Sequence, residues 1–307
     1  MRRVVITGPT GAIGIALIEN LIEKGIDVIA VCRPGSDRIS RIPADSHVKI
    51  VECSLSDIGN LYTMVDGSAD VFYHFAWDGT FGDLRNDMFL QNSNVKYSLD
   101  AVKAAKKLGC RKFIGAGSQA EYGRVEGKIR PDTPAFPENG YGIAKLCAGQ
   151  MTGIMCGQLG LEHIWTRILS VYGPYDGQNT MIMTVIGKLL NGEVPSLTPG
   201  EQMWDYLYSK DAANAFFLLG EKGKSGSTYC IGSGMARRLK EYIEIIRGLI
   251  NEEAELGFGK IPYGPKQVMC LQADIERLSW DTGFKPMYSF ERGIKETIEW
   301  YKNMDKS

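Results

Sequence analysis

The stretch Val4-Val5-Ile6-Thr7-Gly8-Pro9-Thr10-Gly11-Ala12-Ile13-Gly14 decides the fold. A short β-branched run leads into a turn with glycines at positions 8, 11 and 14, and a helical pattern follows over residues 12–24. Gly8 would allow the tight turn, Gly11 would let backbone N–H groups approach a pyrophosphate, and Gly14 would let the helix pack close to the sheet. Three glycines alone are a weak signal, but their place between a strand and a helix predicts a dinucleotide-binding turn.

The rest of the first 115 residues alternates strand and helix patterns. Further strands are predicted over residues 27–32, 48–53, 70–76 and 111–116, and a long amphipathic helix over residues 89–108. Continuous apolar strands separated by helices are typical of a parallel sheet covered on both faces. We therefore expect an α/β fold with a doubly wound parallel sheet.

The second half is less regular. It predicts a helix over residues 141–159, a strand over 163–171 and a helix over 180–191, with a proline- and glycine-containing stretch near residue 195. We expect a dinucleotide-binding domain over residues 1–172 and a smaller, mainly substrate-binding C-terminal lobe over residues 173–307. Segments near residues 204–232 are expected to return to the first domain.

Composition excludes several classes of function. The 307 residues include 35 basic and 36 acidic side chains, a net charge of −1, which predicts neither nucleic-acid binding nor a polybasic membrane patch. No apolar run approaches the length of a membrane span. The seven cysteines are scattered and never spaced as CxxC, and the three histidines form no HExxH motif. We expect a cytoplasmic protein without disulfides and without a metal site.

The residues after the second strand bear on the choice of dinucleotide. An acidic side chain there would bind the ribose 2′-hydroxyl of NAD, whereas this chain has Cys32-Arg33-Pro34-Gly35-Ser36. A guanidinium suits a 2′-phosphate. Arg33 therefore predicts that NADP(H) is preferred over NAD(H); the alternative is that Arg33 is a solvated charge that stacks on adenine.

A second motif suggests proton transfer. Tyr141 and Lys145 lie one helical turn apart, so that they share a face. A neutral tyrosine is a poor base near pH 7, and a neighbouring ammonium favours its phenolate. This spacing is common by chance, but here it occurs together with the glycine turn and with Ser118 after the fifth strand.

These residues together resemble the extended short-chain dehydrogenase/reductases, and within them the nucleotide-sugar epimerase/dehydratase/reductase group. The matching motifs are TGxxGxxG at residues 7–14, HxAW at 74–77, SxxxYG at 118–123, YxxxK at 141–145 and VYGP at 171–174. Residues 204–211 and 229–234 resemble two further segments of that group, so the similarity covers nearly the whole chain. The resemblance implies a Rossmann-type fold.

The resemblance also implies roles for individual residues. Tyr141 would be the general acid/base, Lys145 would lower its pKa and bind a ribose hydroxyl, and Ser118 would polarise the sugar carbonyl. The cofactor would contact Thr7, Gly8, Thr10, Gly11, Ala12, Ile13, Gly14, Arg33, Ser54, Leu55, Phe75, Ala76, Trp77, Asn94, Tyr141 and Lys145. The substrate, a nucleotide-diphosphate sugar, would contact Trp77, Ser118, Gln119, Ser170 and Trp204. Asn94 could equally be a buried structural residue.

Departures from the group's pattern narrow the activity. The 4,6-dehydratases of the group have an Asp-Glu pair directly after the catalytic Ser or Thr, where this chain has Gln119 and Ala120. Glu121 comes one position late, so a dehydratase is disfavoured. Ser170 and Trp204 replace an Asn and an Arg that contact the sugar diphosphate in many epimerases. The candidates for replacing that arginine are Arg167, Lys188, Arg237 and Arg238, and for each of them a surface charge is the favoured interpretation.

Three functions remain open at this point. The first is an NADPH-dependent reductase of a 4-keto-6-deoxy nucleotide sugar, and the second is a nucleotide-sugar 4-epimerase that oxidises and re-reduces C4. The third, a non-catalytic dinucleotide sensor, is disfavoured by the presence of Ser118, Tyr141 and Lys145. Members of the group often dimerise through the helices that correspond to residues 89–108 and 141–159, so we expect a homodimer.

Overall fold

The computed structural model describes residues 1–304. The strands are β1 (Arg3–Thr7), β2 (Asp27–Cys32), β3 (Val48–Glu52), β4 (Val71–His74), β5 (Lys112–Ser118), β6 (Lys128–Ile129), β7 (Glu162–Ile168), β8 (Ser170–Tyr172), β9 (Met203–Trp204), β10 (Tyr206–Tyr208), β11 (Ser227–Ile231), β12 (Arg237–Arg238) and β13 (Cys270–Ala273). The α-helices are α1 (Ala12–Ile22), α2 (Met88–Lys107), α3 (Gly140–Leu159), α4 (Met181–Leu190), α5 (Ser209–Lys222), α6 (Leu239–Ile250), α7 (Glu276–Thr282) and α8 (Phe290–Met304). None of these helices is long and apolar enough to cross a membrane.

Seven strands form the central sheet in the order β11-β7-β5-β4-β1-β2-β3, and every pair is parallel. The sequence direction along the sheet reverses between β1 and β4. This reversal opens a crevice at the carboxyl ends of the strands, the usual ligand position in such sheets. The predicted doubly wound, Rossmann-type α/β fold is confirmed.

Strand β1 shows why the apolar runs are continuous. Its side chains alternate, with Val4 and Ile6 in the core beneath α1 and α5, and Val5 in the core beneath α2. Both faces of the sheet are thus covered, and both must be apolar.

A smaller group of elements lies beyond the carboxyl ends of the central strands. It contains a four-stranded sheet in the order β12-β9-β13-β6, a parallel pair β8-β10, and a core made by α4, α6 and α8. Strand β11 returns to the central sheet and α5 packs on α1, whereas β6 leaves the first half to join the smaller sheet. The division of the chain at residue 172 stays a prediction.

The predicted strand over residues 163–171 is wrong as a single element. Residues up to Ile168 pair with β5 and β11 in the central sheet, and residues from Ser170 pair with β10 in the small one. Between them the Leu169 N–H donates to the Ile231 carbonyl oxygen at 3.0 Å. Apolar residues continue through this point at Ile168, Leu169 and Val171, so the sequence does not reveal that the chain changes sheets here.

Candidate active site

A cleft at the carboxyl ends of β1, β4 and β5 divides into two adjoining pockets. Four residues line both pockets: Gly8, Gly11, Phe75 and Trp77. They come from the turn after β1 and from the loop after β4, the two strands on either side of the reversal. The fold therefore places one continuous cleft where the sequence predicted a dinucleotide site.

The glycine turn has the geometry that a bound pyrophosphate needs. Gly8 has a φ of +69°, and a Cβ there would lie 2.8 Å from the Ala76 nitrogen. A Cβ at Gly11, the residue before α1, would meet no atom within 4 Å, so the space beside the helix N-terminus is open. The positive end of α1 and the first pocket both lie at this turn. These residues fit a dinucleotide phosphate.

A side chain is excluded at Gly14 for a different reason from the one that the sequence predicted. A Cβ there would lie 2.5 Å from the Gly8 carbonyl oxygen and 2.7 Å from the Pro9 carbonyl carbon. The close approach is thus between the first turn of α1 and the glycine turn itself, rather than between the helix and the sheet.

The first pocket contains most of the predicted cofactor residues. Those that line it are Thr7, Gly8, Thr10, Gly11, Arg33, Leu55, Phe75, Ala76 and Trp77. Ser36 and Arg38, which the sequence analysis did not single out as cofactor residues, line it as well. Both lie within five residues of Arg33. The cluster of basic residues in this segment was the sequence signal that could have identified them as cofactor contacts.

The charges at the rim of this pocket are unequal. Arg33 and Arg38 have no ion pair among the salt bridges of residues 1–304. Two carboxylates are near: Asp78 lines the pocket, and Glu52 at the end of β3 accepts a hydrogen bond from the Gly35 nitrogen at 3.0 Å. The lining itself thus has two guanidinium groups and one carboxylate.

Two predicted cofactor residues contact neighbouring segments instead. The Ser54 hydroxyl donates to the Asp57 carboxylate at 2.6 Å. The Asn94 side chain binds both backbone groups of Asp78, at 2.9 and 3.0 Å, and so fixes the loop after β4. Direct contact of Ser54 or Asn94 with a cofactor stays a prediction.

The second pocket brings together Ser118, Tyr141 and Lys145. Ser118 is the last residue of β5, and the other two lie in the first turns of α3, which starts at the Asn139 cap. The Lys145 ammonium donates to the Ala116 carbonyl oxygen at 2.6 Å and lies 3.8 Å from the Trp77 ring centroid. Burial lowers the pKa of Lys145 to about 7.

The groups around Tyr141 shift the pKa of its phenol in opposite directions. Burial raises the pKa of its phenol above the usual value, and the Glu121 carboxylate adds to that shift. The Ser118 hydroxyl, through a hydrogen bond, and the Arg85 guanidinium, 4.7 Å from the ring centroid, lower it. Trp77 meets the ring edge-on with the centroids 6.1 Å apart. Sequence analysis missed Arg85, because no local pattern relates it to α3.

Glu121, the acid one position late, points away from the cleft. Its carboxylate accepts hydrogen bonds from the Ser118 nitrogen at 2.8 Å, the Trp165 indole at 3.0 Å and the Arg167 guanidinium at 2.7 Å. Ser118 and Glu121 form a capping box, whose S-x-x-E spacing was visible in the sequence. Arg167 is therefore neither a surface charge nor free to bind a diphosphate.

The residues predicted to bind the substrate diphosphate also contact other side chains of the protein. Trp204 donates from its indole to the Ser170 hydroxyl at 2.8 Å, so the two replaced positions contact each other. The three other candidate cations form ion pairs: Lys188 with Glu193, Arg237 with Glu291, and Arg238 with Glu201. Gln119 is half-buried beside Ser118. Substrate contact by Gln119, Ser170 and Trp204 stays a prediction.

Asp176 is a second residue of this pocket that sequence analysis missed. It follows the VYGP motif, lines the pocket with Tyr141 and Lys145, and accepts hydrogen bonds from the Gly177 nitrogen and the Thr180 hydroxyl at 2.7 and 3.0 Å. Burial raises the pKa of its carboxyl to about 6. It gives the pocket a negative charge above that pH.

Chemically, the second pocket can transfer a proton at a carbonyl or hydroxyl oxygen. A phenol and a hydroxyl converge there, and an ammonium lies on the same helix face as the phenol. The first pocket, one glycine turn away, fits the phosphates of a dinucleotide. The arrangement suits an oxidation or reduction at a carbon whose oxygen contacts Tyr141.

Comparisons with known proteins agree with this chemistry. A model of the "NAD dependent epimerase/dehydratase family" matches residues 4–232. The chain is 29% identical over 201 residues to the dTDP-glucose 4,6-dehydratase of Xanthomonas campestris pv. campestris, which covers 62% of this chain and 57% of that protein. It is 26% identical over 316 residues to the dTDP-4-dehydro-6-deoxyglucose reductase of Escherichia coli, covering 96% of each.

Solved structures share the fold. The UDP-glucose 4-epimerase of Thermotoga maritima, solved with UDP-glucose, superposes with a TM-score of 0.87 at 23% identity, over 98% of this chain and 99% of that one. At this identity the likeness concerns the fold. The match to the Xanthomonas dehydratase spans little more than half of that protein's length.

Proposed function

Because the chain belongs to the NAD dependent epimerase/dehydratase family, we propose that it is an NADPH-dependent reductase of a 4-keto-6-deoxy nucleotide sugar. One observation favours reduction over elimination of water. Ser118, Tyr141 and Lys145 share a pocket, while the nearby acid, Glu121, is bound in an ion pair with Arg167. The pocket thus has the groups for reducing a carbonyl but not the acid pair for eliminating water.

In this mechanism Tyr141 donates a proton to the C4 oxygen of the sugar. A dinucleotide bound in the first pocket would supply the hydride for the reduction of C4. Ser118 hydrogen-bonds the same oxygen and holds the carbonyl in place. Lys145, on the same face of α3, favours the phenolate that Tyr141 becomes after donating its proton. Trp77 packs against the Tyr141 ring edge and fixes its direction.

The positions after Ser118 argue against a dehydratase. In the 4,6-dehydratases that the sequence resembles, the two residues following the catalytic Ser or Thr are acids that remove and return protons. Here they are Gln119 and Ala120, neither of which can do so. We therefore propose that the chain shares its family with the dehydratases but does not catalyse their reaction.

For the cofactor, we propose NADP(H) rather than NAD(H). Arg33, Arg38 and Ser36 line the first pocket, and the two guanidinium groups have no carboxylate partner there. Glu52, an acid that could instead accept a hydrogen bond from a ribose hydroxyl, is not among the residues that line this pocket, and its carboxylate accepts from the Gly35 nitrogen. A 2′-phosphate would meet a net positive rim.

A nucleotide-sugar 4-epimerase is the second candidate. The observation in its favour is that an epimerase needs the same single set of Ser118, Tyr141 and Lys145, used in both directions, and no further acid. A non-catalytic sensor would not need the phenol and the ammonium to lie together in one pocket. We favour the reductase because a cofactor with a 2′-phosphate suits net reduction.

The test uses the purified protein with NADPH and, in separate reactions, dTDP- and UDP-4-keto-6-deoxyglucose. A reductase oxidises NADPH in equal amount to the sugar reduced. Interconversion of UDP-glucose and UDP-galactose without net cofactor use would establish the epimerase instead. Loss of water from UDP-glucose or dTDP-glucose, seen by mass spectrometry, would contradict both.

We further propose that the protein is a homodimer that pairs α2 and α3 with their copies. Apolar side chains are exposed along these two helices; they are Met88, Phe89, Ile143, Met151 and Ile154. Phe89 is 89% and Ile154 66% exposed, and burying them would be favourable. Sedimentation should show a dimer that Ile154→Lys weakens, while Met235→Lys, also at an exposed position, leaves it intact.

A further inference from the structure

Arg85 lies against the ring of Tyr141, the proposed acid/base, in a segment that hydrogen bonds hold in place. It lies in the 3₁₀ helix Gly82–Asn86, half-buried, with its guanidinium carbon 4.7 Å from the Tyr141 ring centroid. The segment is held against the start of α3, because the Asn86 side chain accepts a hydrogen bond from the Gly140 nitrogen at 3.0 Å. The backbone beside Gly140 is close as well, since a Cβ there would lie 3.0 Å from the Arg85 carbonyl oxygen.

The charge of Arg85 is not neutralised locally. No salt bridge and no side-chain hydrogen bond joins its guanidinium to another residue within the described chain, residues 1–304. Other arginines of the same region are paired, Arg124 with Glu138 at 2.8 Å and Arg167 with Glu121 at 2.7 Å. Arg85 therefore acts on the ring that it covers.

Lys145 alone is an incomplete source of positive charge for Tyr141. Its ammonium is 5.8 Å from the Tyr141 ring centroid but only 3.8 Å from that of Trp77, and it donates to the Ala116 carbonyl oxygen. With a pKa near 7, it loses its charge as the pH rises through neutrality. A guanidinium stays protonated throughout that range.

We propose that Arg85 is a positioning residue that holds a permanent positive charge against the face of Tyr141, so that Tyr141 gives up its proton more readily. The proposal rests on the proposed role of Tyr141 as the acid/base. Arg85 acts through the phenol and needs no contact with the substrate.

Other groups around Tyr141 set the background for this effect. Glu121, in the turn after β5, opposes ionisation of the phenol, and the Asp176 carboxylate, in the loop after β8, lines the same pocket. The Glu121 charge is offset by Arg167. Ser118 contributes an uncharged hydrogen bond that favours ionisation, and Trp77 is neutral. Without Arg85, the cation that lines this pocket would be Lys145, which itself titrates near pH 7.

The test measures the ionisation of Tyr141 directly. Protein labelled with ¹³C at tyrosine Cζ, saturated with NADP⁺, is titrated by NMR, and the Tyr141 signal is identified by its loss in Tyr141→Phe. Arg85→Gln and Arg85→Met should each raise the Tyr141 pKa by about one unit, since a nearby opposite charge shifts a pKa by roughly that much or more. Arg85→Lys should restore most of the shift.

A matched control separates charge from packing. Arg292 lies 4.1 Å from the ring centroid of Tyr288 near the start of α8, so Arg292→Gln removes a similar stacked guanidinium away from the cleft. It should leave the Tyr141 signal unmoved. An unchanged Tyr141 pKa in Arg85→Gln and Arg85→Met, or failure of Arg85→Lys to restore it, would overturn the proposal. The titration needs no substrate, so failure of the proposed function appears separately, as turnover retained by Tyr141→Phe.

Discussion

The Glu121 carboxylate and the Arg167 guanidinium form a buried ion pair, with Oε2 and Nε 2.7 Å apart. The same carboxylate accepts the backbone N–H of Ser118 at 2.8 Å, so the pair fixes the end of β5 where the proposed site begins. The pair joins the turn after β5 to the adjacent strand β7, in which Ile168 is the register partner of Ser118. The ion pair thereby keeps the Glu121 carboxylate out of the cleft.

Breaking this pair should destabilise the fold. Glu121→Ala leaves the Arg167 charge buried without a carboxylate partner, which typically costs about 3–5 kcal/mol. Urea unfolding near pH 7 should show the corresponding loss. Glu138→Ala is the matched control, because it breaks the exposed pair with Arg124 and should cost far less. Equal losses in the two variants would mean that burial of the Glu121 pair has no energetic role.

Tyr141→Phe should abolish most of the turnover while the fold and cofactor binding persist. General acid–base catalysis contributes roughly 10²–10⁴-fold, so the rate should fall by at least that range. Tyr62→Phe removes a phenol hydroxyl elsewhere, next to Lys107, and should leave the rate unchanged. Near-normal turnover by Tyr141→Phe would show that the acid/base is another group.

The two partners of Tyr141 should affect different quantities. Ser118→Ala should lower the rate with little change in cofactor affinity, whereas Lys145→Met should lower both. Because all three residues act on one proton and one carbonyl, the losses should not add in double variants. Steady-state kinetics combined with fluorescence titration of NADPH separates the two effects. Full additivity would argue that the three side chains act independently.

Arg33→Ala should weaken NADPH binding and leave NADH binding nearly unchanged. Losing a charge-assisted contact to a phosphate costs about 1.5–3 kcal/mol, or roughly tenfold to over a hundredfold in affinity. Arg38→Ala should act in the same direction, since Arg38 lines the same pocket. Arg2→Ala, at the opposite end of β1, is the control. Equal affinity of the unchanged protein for NADPH and NADH would contradict the assignment.

Acid should destabilise the protein through buried histidines. Burial lowers the pKa of His163 to about 4 and that of His74 to about 3, so both stay neutral in the folded state while the unfolded chain takes up protons below about pH 6.5. Stability is therefore lost as the pH falls from about 6.5 toward 4. Each histidine contributes about 1.4 kcal/mol per pH unit in that range.

His163→Phe should reduce this slope by about 1.4 kcal/mol per pH unit, as one proton fewer is taken up on unfolding. The ring would keep its stacked place between Phe113 and Trp165. Phe113→Leu is the control, because it disturbs the same stack without removing a titrating group. Urea unfolding at a series of pH values measures both slopes. The assignment fails if His163→Phe and Phe113→Leu have the same slope.

Short-range patterns predicted most of the elements. The strand over residues 27–32 has the predicted bounds, and the helices predicted over 89–108 and 180–191 agree within one residue at each end. The strand predicted over 163–171 was wrong because its two halves pair with strands of two different sheets. Which partner strand each half takes depends on β11 and β10, far away in the sequence.

For the candidate site, motifs predicted the three residues that share the second pocket, and most residues of the first. Their spacing follows from local geometry, since a helical turn joins Tyr141 to Lys145 and a glycine turn joins β1 to α1. The charged surroundings could not be predicted in this way. Arg85 reaches Tyr141, and Arg167 reaches Glu121, only because separate segments pack together.

The sequence by itself determined the alternating α/β order, the position of the glycine turn and the presence of the phenol, hydroxyl and ammonium. These depend on residues within a few positions of each other, where backbone geometry allows few choices. Only the tertiary structure decided three contacts of the site. Glu121 pairs with Arg167, Trp204 donates a hydrogen bond to Ser170, and Arg85 stacks on Tyr141. A charged or polar side chain takes whichever partner the packed fold brings within about 3–5 Å, and that distance is set by sheet register and helix packing rather than by position along the chain.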